Sequence, residues 1–461
     1  MSTSNIAIDR EGAGAGDRPE TEVSGPSSTN WRMVFVLTAI FSLSSIDRGI
    51  IPLLVEPIRA DLGLTDVQIS LLLGFSFVLL FSLCALPAGY LADVMSRRLL
   101  IALSTVFWSV MGILCGFANT FWHLFFGRLG LGAGEAGLPP AAFSLLRDGV
   151  HPRHRARAFS VYHMSPIIGK GVANWGGAIL LTLAAAGAFR AWPIIGNLQP
   201  WQVAIIMPGL LGLPMALLLF TFREPKRSRA ATTPEHDKDA PTFGELIRHI
   251  HTYRRAYIPI YVAMFLSGVG NGFSAWLPAA IGRTWLLTPS EIGKVLGPVG
   301  LLTGPITLLA FGYLMDRFGR KSSGAAMRVA FFGTALHLPP SLFIFLAPSI
   351  PLMWTSVGFS MLFDYATLLA TSVALSFVTP TRLMGKATAF YAIAANSGSA
   401  IGPTFFALIA KFFFMGDEAL SDGLLFGYPL VLVLCMVMLW IGGREIARAT
   451  AQKRVDASPA G

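Results

Sequence analysis

Charged residues are scarce in this sequence: Asp, Glu, Lys and Arg make up 13% of the 461 residues, whereas hydrophobic residues make up 54%. Soluble domains carry about 25% charged residues, so most of the surface of this chain must lie in lipid. Cysteine is scarce too, and its three copies all fall inside apolar runs, which excludes a disulfide framework: Cys84, Cys115 and Cys435. No glycine-rich phosphate loop, metal-ligand cluster or nucleophile triad occurs. The sequence therefore supports neither an enzyme nor a metal or organic cofactor.

The net charge of +10 raises the question of nucleic acid as a partner. The basic residues lie in short segments between apolar runs rather than on one polar face, and this pattern excludes a nucleic-acid surface. The first 30 residues are polar and rich in Gly, Ser and Glu. They predict a disordered tail without a cleavable signal peptide.

Long apolar runs recur along the rest of the chain. A run of about 20 residues can cross the ~30 Å hydrocarbon core of a bilayer as a helix. The sequence therefore predicts an all-α membrane protein with twelve transmembrane helices, at about 32–56, 67–92, 98–118, 121–147, 156–187, 200–222, 256–282, 290–315, 323–346, 351–378, 386–414 and 424–443.

The loops between these spans alternate in charge. Basic residues collect in the loops of one side, whereas the opposite loops carry Asp61, Asp66 or Asp417. By the positive-inside rule both termini are cytoplasmic. The predicted organisation is a cytoplasmic tail, a six-helix bundle, a charged cytoplasmic linker, a second six-helix bundle and a second cytoplasmic tail: 1–30, 31–222, 223–255, 256–447 and 448–461.

One short phrase occurs twice, 223 residues apart, at the cytoplasmic ends of two spans. The first copy is Gly89-Tyr-Leu-Ala-Asp93-Val-Met-Ser-Arg97-Arg98, and the second is Gly312-Tyr-Leu-Met-Asp316-Arg317-Phe-Gly-Arg320-Lys. Asp93 lies where it can pair with Arg97 or Arg98, or cap a neighbouring helix. A single copy would be explained by stop-transfer charge alone. Two copies at matching positions predict a gate between two similar bundles, and hence a transporter.

The phrase resembles the signature of the major facilitator superfamily, G-x-L-a-D-r-x-G-R-[RK]. The second copy matches it almost fully, whereas the first has Val94 and Ser96 in place of the basic residue and the glycine. The resemblance implies two six-helix bundles around a central cavity and transport by rocking, alternating access.

Several charged residues lie inside predicted spans. A charge at a helix centre costs about 2.5–3.5 kcal/mol, so each is a candidate for function. From the rise per residue we expect Asp47 to be level with Arg128 and to pair with it, and Lys170 to be level with Glu135. Buried ion pairs that only fix helix packing are the alternative. The six residues concerned are Asp47, Arg48, Arg128, Glu135, Lys170 and Asp364.

A carboxylate beside a movable cation has a tunable proton affinity. Asp47 and Glu135, tuned by Arg48 and Arg128, are therefore the predicted proton-coupling residues, with protons as the coupling ion. Lys170 is the predicted anchor of an anionic substrate.

Three stretches resemble the Spinster branch of the superfamily: Ile46-Asp47-Arg48-Gly49, Arg128-Leu-Gly-Leu-Gly-Ala-Gly-Glu135 and Trp276-x-Pro278. Spinster-like proteins move lysophospholipids and sphingosine phosphates, and bacterial members resemble proton-driven lipid exporters. Lys170 departs from the branch, where a small residue is expected between Gly169 and Gly171. An extra cation can replace part of the proton's role or bind an anionic headgroup.

Other residues in the spans have weaker signals. Asp364 and Asn396 are predicted to line the second half of the cavity, with local hydrogen bonds between helices as the alternative. Phe273 and Trp276 are predicted to wall an apolar cavity, although aromatic residues in spans usually face lipid or other helices. His163 and His337 are expected to be packed and neutral.

The sequence as a whole predicts a monomeric secondary transporter of a bacterial inner membrane that exchanges protons for an amphipathic anionic lipid, such as a lysophospholipid. Two alternatives stay open. One is a proton symporter of a small organic anion, clamped by Lys170 and an arginine. The other is a sensor with a transporter fold and no flux, which signals through the linker 223–255.

Overall fold

The computed structural model describes residues 29–227, 242–319, 323–416 and 418–456. Arg320, residues 1–28 of the predicted N-terminal tail, residues 228–241 of the predicted linker and residues 457–461 of the predicted C-terminal tail lie outside these ranges. Within them the chain is helical and has no β-strand. The α-helices are α1 Trp31–Leu62, α2 Asp66–Ser70, α3 Ser76–Val94, α4 Arg97–Gly116, α5 Phe121–Glu135, α6 Leu138–Gly149, α7 Arg155–His163, α8 Ser165–Ala185, α9 Pro200–Leu218, α10 Phe243–Thr252, α11 Arg254–Trp285, α12 Pro289–Gly319, α13 Ala325–Leu346, α14 Ile350–Met361, α15 Ala366–Val378, α16 Met384–Phe413 and α17 Ala419–Asp456.

Eleven helical segments in the described part of the chain are long and apolar enough to cross a membrane. The predicted span 121–147 is not one of them, and it is divided into α5 and α6 at Ala136-Gly137. Pro139 and Pro140 follow the break and cannot donate backbone hydrogen bonds to the preceding turn. Gly137 packs so closely on Ser104 that any side chain there would collide with the hydroxyl.

Two further spans that the sequence predicts as continuous are also interrupted. Span 351–378 is divided into α14 and α15 by a turn over residues 362–365, and span 156–187 is divided at Met164. Span 67–92 contains a π-helical turn, Leu71–Phe75, between α2 and α3. Such interruptions free backbone groups and redirect side chains, and they are common at functional sites. As a result Glu135 ends α5, and Asp364 lies in the turn between α14 and α15.

Glycines allow the closest helix contacts. In the C-terminal half, α11 packs on α16 where Gly268 meets Gly398 and Gly272 meets Gly402. A Cβ atom at any of these positions would lie 3.0 Å or less from backbone atoms of the other helix. Small residues at such crossings let membrane helices approach until their backbones touch.

The two halves of the chain meet mainly in two regions, with further contacts of α1 on α11. α8 packs against α12, and the π-helical turn with α2 and α3 packs against α16. The remaining helices pack mainly within their own half, with α1 on α8 and α4 on α9 in the first, and α11 on α16 and α17 in the second. The halves therefore form walls on either side of a space between them.

Candidate functional site

A buried ion pair joins α1 to α5 in the first half. Nη1 of Arg48 lies 2.9 Å from Oε2 of Glu135, whose side chain is 1% exposed, whereas that of Arg48 is 29% exposed. The hydroxyl of Ser44 donates to the same carboxylate oxygen at 2.6 Å. The other oxygen, Oε1, has no hydrogen-bond partner. Glu135 thus holds a cation that remains partly accessible.

The predicted pair of Asp47 with Arg128 does not form. Arg128 is buried, and its Nε donates to the carbonyl oxygen of Leu72 at 2.6 Å. Asp47 is buried as well, and within the described residues it makes no ion pair, while its Oδ2 has no hydrogen bond. The rise per residue gives an expected depth along each helix, but it does not give the direction of the side chains.

The Leu72 carbonyl belongs to the π-helical turn at the contact between the two halves. Next to this turn, the hydroxyl of Ser70 donates to Thr404 of α16 at 3.1 Å. Gly74, within the turn, packs against the backbone carbonyl of Ala400. Arg128 therefore connects the buried charges of the first half to the surface that touches the second half.

A central cavity of about 190 Å³ is lined mainly by residues of the second half, together with Lys170 from the first. Lys170 of α8 lines it from the first half, and Asp364 lines it from the second. Within the described residues Lys170 has no ion pair, so the proximity to Glu135 expected from the sequence does not produce one. The rest of the wall mixes polar with apolar groups and includes Ser267, Asn271, Thr334, Tyr365, Tyr428, Leu266, Phe363, Leu368, Val431 and Leu432.

His337 is a cavity residue that the sequence did not single out for function. Its Nε2 lies 2.8 Å from the hydroxyl of Ser360 and 3.7 Å from Oδ1 of Asp364. The expectation that it is buried is met, since it is 4% exposed. The signal available in the sequence was a single histidine in an apolar span, which does not reveal an acidic neighbour from another helix.

Three predicted substrate contacts lie elsewhere. Phe273 is buried with its ring stacked 4.0 Å from that of Tyr428, and Trp276 is fully buried and donates to the carbonyl of Pro403 at 2.8 Å. Neither residue lines the cavity, nor does Asn396. The two rings instead pack α11 against α16 and α17, because their faces are covered by those helices.

One end of the bundle, here termed the outer end, carries the last turns of α1 and α11, and it is closed by ionic contacts. Arg283 of α11 donates to Asp66 through both terminal nitrogens, at 2.7 and 2.8 Å, and to Glu56 of α1 through Nε at 2.8 Å. Arg59 adds a second cation from the first half, 3.4 Å from Asp66. Charge-assisted bidentate bonds of this kind are among the stronger polar contacts, and these join the two halves.

The opposite, inner end carries both copies of the repeated phrase, and there the halves are apart. A Cβ atom added to Gly89 or to Gly312 would meet no atom within 4 Å. Asp93 and Asp316 are exposed and form no ion pair with the described residues. The halves are thus joined by ionic contacts at the outer end, whereas the space beside Gly89 and Gly312 is open at the inner end.

A family model described as Major Facilitator Superfamily matches residues 33–403. The chain belongs to the major facilitator superfamily. Its fold and family are those of transporters and not of enzymes, and the predicted multi-pass location in an inner membrane agrees with them. The superfamily membership and all-α membrane fold predicted from the sequence are thereby confirmed.

Solved structures and relatives of known name place this major facilitator more closely. A crystal structure of a bacterial homologue of the human lysosomal transporter Spinster, inward-facing and unoccupied, superimposes with a TM-score of 0.76 at 23% identity, over 94% of this chain and 100% of that one. An efflux pump of Mycolicibacterium smegmatis is 25% identical over 75% of this chain and 74% of its own length. A probable L-galactonate transporter of Escherichia coli is 25% identical over 59% of each chain.

In this major facilitator chain the basic residues of the first phrase do not pair with Asp93, the predicted partner, but with other groups. Arg97 is buried and pairs with Asp148 of α6 and with Glu224, rather than with Asp93. Arg98 donates to the carbonyl of Phe222 at 2.8 Å. The predicted pairing of Asp93 with either arginine is therefore wrong for this conformation, because both guanidinium groups point towards the end of α9.

Glu224 lies just beyond the membrane-spanning helices. Partial burial raises the pKa of its carboxyl group, but hydrogen bonds from Ser96 and Arg97 outweigh this effect and hold the pKa below its ordinary value. In the second phrase, Arg317 donates to Tyr313 on its own helix at 3.2 Å. The gating role predicted for both phrases, including Arg320, stays a prediction.

Proposed function

We propose that this major facilitator is a proton-coupled secondary transporter that carries an organic anion by alternating access. The observation that carries the proposal is Lys170: a half-buried cation that lines the central cavity without an ion pair in the described part of the chain. A cation in such a place is costly unless a negative partner reaches it. An anionic group of the substrate supplies that partner.

Proton coupling is assigned to the buried carboxyl groups beside this cavity. Removing a carboxylate from water costs several kcal/mol unless it is paired, and a proton removes that cost. Among the described residues Asp47 has no ionic partner, and Glu135 has Arg48 alone within ion-pair distance. When Glu135 takes up a proton, Arg48 loses its counter-ion and becomes available to a substrate anion. Proton and anion binding are thereby linked through one guanidinium group.

Alternating access follows from the contrast between the two ends. The Arg283 contacts with Glu56 and Asp66 hold the outer end shut, while the space beside Gly89 and Gly312 leaves the inner end open. This is the arrangement of an inward-facing state. To face outward, the protein breaks the Arg283 contacts and brings the two repeated phrases against the opposite half.

The cavity favours a small organic anion as substrate. Pockets for drug-sized ligands usually measure about 300–1,000 Å³, and this one measures about 190 Å³. Charged groups line it from both halves, Lys170 on one wall and Asp364 on the other. The L-galactonate transporter of E. coli, one of the relatives, carries a small organic anion by its name.

An amphipathic lipid is the second candidate. Apolar side chains form part of the cavity wall, namely Leu266, Phe363, Leu368, Val431 and Leu432. They offer a surface to an acyl chain whose anionic headgroup reaches Lys170. The Spinster-like fold supports this candidate, although the volume of the cavity accommodates a headgroup rather than a whole lipid.

The test uses purified protein in liposomes that contain a pH-sensitive dye. A transported anion added outside, under an imposed pH gradient, changes the internal pH; 4-hydroxybutyrate, galactonate and labelled lysophosphatidylglycerol are the anions to compare. Lys170→Gln should abolish the response, while Arg153→Gln, on the exposed surface outside the cavity, should leave it unchanged. A response of equal size in Lys170→Gln would contradict the proposal, and the anion that responds distinguishes the two candidates.

A further inference from the structure

Glu135 and Asp364 occupy equivalent positions in the two halves of the chain. α5 begins at Phe121 and α14 at Ile350, 229 residues later, and the same interval separates Glu135 from Asp364. Each acidic residue lies at the point where its membrane-spanning segment breaks, at the end of α5 in one half and between α14 and α15 in the other. The second half therefore contains a counterpart of the proton-coupling carboxylate.

The helices around the two acidic residues correspond as well. α11 repeats α1 at an interval of 223 residues, which matches Ser44 with Ser267 and Arg48 with Asn271. The packing confirms this register. Gly169 of α8 packs on the carbonyl of Ser42, and Gly398 of α16 packs on that of Phe265, the matching residue of α11.

The two sites differ in charge at one decisive position. In the first half, Arg48 neutralises Glu135 at 2.9 Å. In the second half its counterpart is Asn271, which is neutral and donates to Ser399 at 3.1 Å. In the part of the chain that the structure describes, the only ion-pair partner of Asp364 is His337, at 3.7 Å, and that imidazole is already bonded to Ser360. Asp364 consequently faces the cavity, 23% exposed, without a permanent cation beside it.

The cation that lines this cavity, Lys170, comes from the other half of the chain. Lys170 and Asp364 line the same cavity from opposite halves, yet no ion pair joins them. A ligand with a single negative charge would satisfy Lys170 and leave Asp364 unpaired in a partly dehydrated space, which is unfavourable. A ligand that carries one negative and one positive charge neutralises both Lys170 and Asp364.

We propose that Lys170 and Asp364 form a two-ended site for a zwitterion, in which Lys170 binds the anionic group and Asp364 binds a protonated amine. Aromatic rings on the cavity wall beside Asp364, those of Phe363, Tyr365 and Tyr428, suit an ammonium group because ring faces attract cations. The proposal rests on the proposed function, since Lys170 serves as the anion anchor in both. A free amino acid and the headgroup of a lysophosphatidylethanolamine share this chemistry.

The experiment measures dissociation constants of the purified full chain for paired anionic probes, of which one member carries an amine and the other carries hydroxyl groups instead. The pairs are 4-aminobutyrate with 4-hydroxybutyrate, and lysophosphatidylethanolamine with lysophosphatidylglycerol. The amine member of at least one pair should bind at least about tenfold more tightly than its hydroxyl partner, because a close charge pair is worth more than one factor of ten. The pair that shows the difference identifies a free small molecule or a lipid as the source.

Two variants locate the effect. Asp364→Asn should abolish the preference for the amine and leave the affinity for the hydroxyl probe unchanged, whereas Asp364→Glu should retain the preference. Glu418→Gln, an exposed carboxylate outside the cavity, is the matched control and should behave as the wild type. Lys170→Gln should weaken the binding of both members of a pair.

Four outcomes would overturn the zwitterion site. If the wild type binds the amine and the hydroxyl probe of each pair with equal affinity, the site needs no acidic group. If Asp364→Asn weakens the binding of both probes of a pair equally, Asp364 serves only in packing. If Asp364→Asn still prefers the amine probe but binds with an altered pH dependence, Asp364 is a proton site. Anion binding without any gain from an amine leaves the proposed function standing, whereas no binding of any probe contradicts both.

Discussion

Arg48 and Glu135 form an ion pair of 2.9 Å in which only the cation is partly accessible, at 29% of its side chain, while the carboxylate is almost fully enclosed. The ring centroids of Phe41 and Phe77 lie 5.8 and 5.4 Å from the guanidinium carbon and hold it in place. One guanidinium group thus binds a fixed carboxylate while part of it stays accessible to a substrate anion, as the proposed coupling requires.

Glu135→Gln should remove the link between proton and anion. Gln keeps the shape and the hydrogen bond with Ser44 but has no proton to exchange, so the imposed pH gradient should no longer drive transport above background. Exchange of substrate between equal concentrations on both sides should persist, because it requires no net proton movement. Uptake driven by the gradient with the pH dependence of the wild type would exclude Glu135 from coupling.

Arg283→Ala should open the outer end. Loss of the bonds to Glu56 and Asp66 should shift the equilibrium towards the outward-facing state by about 2 kcal/mol, or roughly 30-fold, since a bonded charge pair loses one partner. Distances between spin labels on the outer ends of α1 and α11 would report the change. Arg59→Ala is the matched control, because Arg59 contacts the same two acids from their own half. Equal distances between the spin labels in the two variants would show that Arg283 does not hold the outer end closed.

Gly398→Ala should lower stability, whereas Gly89→Ala should lower transport without lowering stability. A methyl group on Gly398 collides with the backbone of α11, so we expect a loss of about 2–3 kcal/mol in stability. A methyl group on Gly89 meets no atom within 4 Å, so thermal stability should be unchanged. Transport by Gly89→Ala should still fall severalfold, because closure of the inner end brings this position into contact. Wild-type transport by Gly89→Ala would contradict closure at the phrase.

Glu224→Gln should lower thermal stability at pH 7 but not in acid. The bonds from Ser96 and Arg97 hold the pKa of Glu224 below its ordinary value of 4.5, so the ionised carboxylate stabilises the folded protein above that pH. The effect at neutral pH should be about 1 kcal/mol. The difference between variant and wild type should shrink as the pH falls through the lowered pKa. Melting curves between neutral and acidic pH measure it, with Glu418→Gln as the exposed control; a constant difference would contradict the assignment.

The repeated phrase and the apolar runs predicted the superfamily and the helical fold before any coordinates. Apolar length is a property of each segment by itself, because a helix must satisfy its own backbone in lipid. For the same reason, charged residues inside the spans could be recognised from each segment alone. Asp47, Glu135 and Asp364 stand out in apolar sequence whatever surrounds them.

The partners of those charges could not be predicted in the same way. The rise per residue gives the depth of a side chain, but its direction depends on rotation and on breaks such as those at Ala136-Gly137 and at residues 362–365. Arg48 therefore takes Glu135, and Arg128 turns to the Leu72 carbonyl. Phe273 and Trp276 lie in helix packing for the same reason.

The sequence by itself determined that this chain is a helical membrane protein in two related halves, because hydrophobic length and the repeat are local and periodic properties. Only the tertiary structure decided which end is closed and which charges share the cavity. Arg283 meets Glu56 and Asp66 across more than 200 positions of sequence, and Lys170 faces Asp364 from the other half. Contacts of this range depend on how the two halves pack, and no local pattern records that arrangement.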